Sequence, residues 1–71
     1  MTNHFKLLDV IALLKNLPGK KLKQGQVGTI VEIFNNHHYE VEFCNNSGET
    51  ITLVSIHEKD LLLLHYELEA V

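Results

Sequence analysis

The sequence predicts a small all-β domain of five short strands, with one 3₁₀ turn before the last strand and a second strand bent so that its halves belong to two sheets. Three observations point to this class. Gly25 and Gly28 stand just ahead of the β-branched run Thr29-Ile30-Val31, which is how a chain turns sharply and then begins a buried strand. Tyr39, Val41 and Phe43 alternate with Glu40 and Glu42, the period of a strand with one wet face. Polar turn clusters, Asn35-Asn36-His37-His38 and Asn45-Asn46-Ser47-Gly48, join that strand to apolar runs on both sides and make a meander.

Met1 to His4 is expected to be a frayed lead. Between Phe5 and Leu17 two periods compete. Leu7, Val10 or Ile11, Leu14 and Leu17 fit an amphipathic helix running from Asn3 to a stop at Pro18-Gly19, whereas Val10-Ile11 with alternation about Asp9 fits a strand. A sheet this small needs an extra pairing partner, which favours a strand over Leu8 to Leu13. Leu17 to Gln24 is a loop opened by the Pro18-Gly19 turn signal, with Leu22 folding back onto the core between lysines.

Gly25, in the polar turn after Lys23-Gln24, meets a demand for a backbone angle closed to other residues. Gly28 lies inside the strand pattern, where it marks a bulge, a tight bend or a close backbone crossing. From Val27 onward, Val27, Thr29, Val31 and Ile33 share one face, and Gly28, Ile30, Glu32 and Phe34 the other. Both faces are apolar, so in a chain this short the strand is expected to bend between sheets.

Gly48 suits the left-handed position that ends the second turn. In the returning strand, Thr50 to Val54, Ile51 and Leu53 are expected inward and Thr50 and Thr52 outward. Ser55 followed three residues later by Glu58 is a capping pattern that starts a single helical or 3₁₀ turn. The last strand centres on Leu61 to Leu64, where at least one leucine must face outward. The same stretch with His65 and Leu68 would also line a helix, and the tail 66–71 stays open.

Length and composition bound the rest. With 71 residues the chain is a single domain, 1–71, and chains near this size bury only about 60% of the surface their unfolded form exposes. One cysteine, Cys44, cannot form an internal disulfide, which points to an intracellular, cytoplasmic protein. The apolar run Leu7 to Leu14 is broken by Asp9, lacks a small-residue cleavage site, and falls short of the ~20 residues that span a bilayer; no membrane partner is expected. A net charge of −3 weighs against general nucleic-acid binding, although Lys15, Lys20, Lys21 and Lys23 crowd one segment while Glu58, Asp60, Glu67 and Glu69 gather near the end.

The order strand, long loop, strand, hairpin, strand, hairpin, strand, 3₁₀ turn, strand resembles SH3-like barrels. The segments Lys6-Leu7-Leu8-Asp9-Val10, Leu22 to Glu32 and Tyr39-Glu40-Val41-Glu42-Phe43 resemble a bacterial family of small proteins catalogued as a domain of unknown function, DUF4926, up to about Leu64. The glycine pair is also similar, over a shorter stretch, to the KOW motif of ribosomal and transcription-elongation proteins, which implies RNA or protein partners. Likeness of this kind supports a fold and leaves the task open.

No constellation of catalytic type emerges, so an enzyme, a cofactor and a metal site are not expected. His37 and His38 are adjacent and would point to opposite faces of a strand, and a structural zinc needs further ligands, which His4, His57 or His65 could supply only if folding gathered them. Cys44 has no third group to position a base beside it. Glu40 and Glu42 read as the solvated face of a strand. Gly25 and Gly28 lack the Lys and Ser or Thr of a phosphate loop and precede a strand.

Two surfaces remain. Lys20, Lys21 and Lys23 can steer an acidic partner or a nucleic-acid backbone; Phe34, Tyr39 and the outward member of Leu61 to Leu64 form a second candidate surface for which core or hairpin packing is the competing reading, and His38 is counted among the candidate contacts. The expectation is a protein-protein interaction module, with self-association open. The resembled family's short stand-alone proteins imply a cognate partner from a neighbouring gene, as in antitoxin or immunity pairs. The alternative is a KOW-like nucleic-acid module using Lys15, Lys20, Lys21 and Lys23.

Overall fold

A computed structural model describes residues 5–35, 37–45 and 47–64. Its strands are β1 (Val10–Leu13), β2 (Val27–Ile33), β3 (His38–Cys44), β4 (Thr50–His57) and β5 (Leu61–Leu63), with 3₁₀ turns at Pro18–Lys20 and Glu58–Asp60. All pairings are antiparallel in one sheet of order β4-β3-β2-β1-β5. This order, the long β1–β2 loop and the 3₁₀ turn that sends β5 back beside β1 are the connectivity of a small SH3-like barrel. The Pro18–Lys20 turn is one more 3₁₀ element than the sequence led us to expect.

A turn settles the contest before β1. Asp9 Oδ2 accepts from the Lys6 N–H at 2.8 Å, Lys6 O accepts from the Asp9 N–H at 3.0 Å, and Leu8 between them takes φ 71°. No helix survives that geometry, and Leu7 and Leu14, half of the proposed helical stripe, are exposed. The strand is shorter than the expected Leu8 to Leu13, because the turn occupies its first residues.

The expectation that β2 serves two sheets is corrected: the five strands described form one sheet, and within it β2 divides its pairing. Its first half meets β1, with Ile11 opposite Gly28 and Ala12 opposite Val27, and its second half meets β3, with Ile30 opposite Val41 and Ile33 opposite Tyr39. Between Ile30 and Glu32 the register slips, leaving Val31 as an extra residue. A bulge of this kind bends the strand and reverses its facing. Ile30 is fully buried ahead of it and Ile33 packs on the core after it, while Val31 and Phe34 are exposed. The expectation that Ile30 and Phe34 share a face is therefore corrected: the bulge sends Phe34 outward.

Gly28 is neither the bulge nor a backbone crossing; it faces the core under the side chains of Val41 and Phe43. Gly25 has φ 90° at the third position of a turn in which the Gln26 N–H donates to Lys23 O, a position that demands positive φ. Gly48 has φ 82°, as expected for the end of the β3–β4 turn, which Asn45 organises by accepting from the Ser47 and Glu49 N–H groups through Oδ1.

A second slip lies between Phe43 and Cys44, beyond which Thr52, Val54 and Ile56 stand opposite the buried Phe43, Val41 and Tyr39. Leu53, expected inward, is 51% exposed, because it pairs with Glu42 on the outer face. The capping pattern is displaced too. Ser55 remains in β4, and His57 caps the 3₁₀ turn, its Nδ1 accepting from the Lys59 N–H at 3.1 Å.

The core gathers Phe5, Ile11, Leu13, Leu22, Ile30, Tyr39, Val41, Phe43, Ile56 and Leu61 on one side of the sheet. Leu62 is the outward-facing leucine of β5. The expectations for Met1 to His4, for the side chain of Ile51 and for the tail beyond Leu64, including Glu67 and Glu69, lie outside the described residues. Among those described, no helix is long and apolar enough to cross a membrane.

Candidate partner-binding loop

Residues 14–26 carry the densest positive charge and a main chain held at both ends. At the base, Leu13 N–H donates to Gln26 O at 2.9 Å and Gly25 N–H to Leu13 O at 2.7 Å. Leu17 and Leu22 pair across the loop in both directions, at 2.8 and 3.2 Å. Proline at the start of the 3₁₀ turn fixes its first angle, and Lys21, at φ 59°, reverses the chain. Asn16 Oδ1 accepts from the Gln24 N–H at 2.8 Å and ties the two limbs together.

Leu22 is the anchor. It is 1% exposed within the core, as the sequence predicted for a leucine set among lysines. Lys20, Lys21 and Lys23 around it are all exposed. An open cleft of about 360 Å³ runs beside them, lined by Asn16, Pro18, Lys21, Leu22 and Lys23. Lys15 does not join this group: its Nζ lies 3.2 Å from Asp60 Oδ2, tying the loop base to the second 3₁₀ turn.

The other predicted surface is not continuous with the loop. Phe34 and His38 flank the turn at the far end of β2, where the Phe34 N–H donates to His38 O at 2.9 Å. Phe34 is 37% exposed. Tyr39 is removed from the candidate contacts because it is fully buried, with the Phe5 ring edge-on at 5.3 Å. Its inward direction follows from pairing with Ile33 and Ile56 on the core face.

The same end holds a grouping that the sequence left open. His38 stands opposite His57 in the β3–β4 ladder with rings 5.0 Å apart, His37 lies 6.2 Å from His57, and His37 Nδ1 is 3.2 Å from Glu58 Oε1. His37 takes φ 65° and its carbonyl accepts from the Glu58 N–H at 2.8 Å. These contacts lock the turn to the second 3₁₀ element. Among the described residues no group of three or more His, Cys, Asp or Glu is placed to hold a metal ion. Cys44 is exposed at a strand end.

No curated protein and no solved structure matches this chain. One family does, over residues 7–63, which span every strand and the whole lysine loop. By that match the chain belongs to the family described as Domain of unknown function (DUF4926).

Proposed function

We propose that this chain is a non-catalytic protein-protein interaction module that receives an acidic segment of a partner protein on the loop between β1 and β2. A cognate protein encoded by a neighbouring gene, in the manner of an antitoxin or immunity pair, is the partner this reading favours. The observation that carries it is the burial of Leu22 amid exposed Lys20, Lys21 and Lys23. One apolar anchor and a set of main-chain bonds hold three exposed lysines on an ordered loop, so little backbone freedom remains to be lost when a partner docks. Clustered lysines of one sign speed encounter with an acidic surface.

The nucleic-acid alternative is weakened by the same geometry. Lys15 is engaged with Asp60, and the sheet's outer face carries Glu32, Glu40 and Glu42, which would repel phosphate. Capture from a lysate of the source cell, with and without nuclease, separates the readings. A protein retained after nuclease and lost with Lys20→Glu/Lys21→Glu supports the proposal. A protein retained equally by the double variant places the contact elsewhere, and recovery only of nuclease-sensitive material favours nucleic acid.

A further inference from the structure

The sheet ends in two edges of unequal kind. β5 has three residues, and short edges resist pairing with foreign strands. β4 has eight, Thr-Ile-Thr-Leu-Val-Ser-Ile-His, without proline, glycine, lysine or a carboxylate, and among the described residues no strand pairs with its outer side. Soluble proteins ordinarily protect so long an edge with charge, proline or a covering element. A β-branched, uncharged stretch of this length is also the composition that favours strand addition.

The structure assigns this edge to a second copy of the same chain: β4 pairs antiparallel with β4 about a two-fold axis at Val54. Three features select this partner and register. The Glu58 N–H donates to His37 O, and alternation along the ladder from that bond turns the main-chain groups of Val54 and Ile56 toward β3 and those of Leu53 and Ser55 to the free edge. Centred on Val54, Leu53 of each copy exchanges main-chain hydrogen bonds with Ser55 of the other, core-facing residues meet core-facing residues, and the paired stretch Thr52–Ile56 lies wholly within Thr52–His57, the regular part of β4. An axis at Leu53 would run the pairing into the slip beyond Thr52.

Charge also fits. The Val54 axis brings exposed Glu49, just before β4, to the same end of the joint as exposed Lys59 of the second copy, in the 3₁₀ turn just after β4, at both ends of the joint. Pairing of β4 with β5 of a neighbour would be limited to the three residues of β5 and would grow rings or chains in place of a closed dimer. The inference uses none of the lysine loop and stands or falls separately from it.

Sedimentation equilibrium on the full chain tests it. The mass should rise from 8.1 kDa toward twice that value across roughly 10 μM to 1 mM, the range suited to an interface at the small end of specific contacts. Leu53→Lys and Ser55→Pro should each weaken association at least about tenfold; the proline removes only an edge-facing N–H, a position where strands accept it. Leu62→Lys is the control, because Leu62 and Leu53 are equally exposed at 51%. Glu49→Lys should weaken the dimer and Glu49→Lys/Lys59→Glu restore it. A monomer at 1 mM, assemblies larger than a dimer, equal loss with Leu62→Lys, or a dimer retained by folded Leu53→Lys and Ser55→Pro would each overturn the inference. Loss of association with Lys20→Glu/Lys21→Glu would overturn it too, by moving self-contact to the loop.

Discussion

Gly28 lies directly under Val41: a Cβ built at Gly28 would stand 2.7 Å from Val41 Cγ1 and 2.8 Å from the Phe43 ring. Val41 and Phe43 are fully buried and fill the space that a side chain on β2 would take. Across the ladder, Ile11 pairs with the same glycine, so the small residue lets β1, β2 and β3 close on one core. The requirement is for absent volume; no positive φ is involved.

Gly28→Ala should therefore be overpacked and lose about 1–3 kcal/mol. Urea unfolding monitored by circular dichroism measures it. An unchanged midpoint would mean that the Val41 and Phe43 side chains move aside freely.

Leu22→Ala should cost about 2–5 kcal/mol, as expected for emptying a fully buried leucine site. It should also raise amide exchange at Lys20, Lys21 and Lys23 beyond the rise at β3, since the loop loses its only fully buried side chain. Lys15→Ala, which breaks a pair whose lysine is 53% exposed, should cost no more than about 1 kcal/mol in the same assay.

Glu32 stands opposite Glu40 across the β2–β3 pair, a like-charge pairing on the outer face. Glu32→Lys should stabilise by about 0.2–1 kcal/mol at low salt, with the gain shrinking as salt is added. Thermal unfolding at two ionic strengths reads both the sign and the screening.

His57 replaces Ser55 as the cap of the second 3₁₀ turn. His57→Ala should lose about 0.5–2 kcal/mol, within the range for losing a side-chain cap, and Ser55→Ala should lose less than about 0.5 kcal/mol. The reverse ranking in paired denaturation curves would restore Ser55 as the cap.

What could be read from the sequence and what could not divide along these residues. Alternation at Tyr39, Val41 and Phe43 and the turn glycines Gly25 and Gly48 are local signals, and all keep their expected places. The facing of Phe34 and Leu53 depends on bulges at Val31 and near Ile51, which insert a residue without any glycine or proline to mark it. One slip also hides the histidine grouping: continuing the Cys44–Thr50 pairing would set His38 against Ile56, and the irregularity moves it to His57. The lysines of the loop were visible as a run, but the withdrawal of Lys15 by Asp60 joins residues 45 positions apart and leaves no local trace.

The most direct measurement is a titration of the ¹⁵N-labelled chain at low salt with an acidic peptide of glutamates and, separately, with a single-stranded oligonucleotide. The lysine-loop reading predicts salt-sensitive shifts from the peptide confined to 16–24, abolished by Lys20→Glu/Lys21→Glu and leaving Phe34 and His38 unmoved. Absence of peptide binding, tighter binding of the oligonucleotide, or shifts centred on Phe34 and His38 would contradict it.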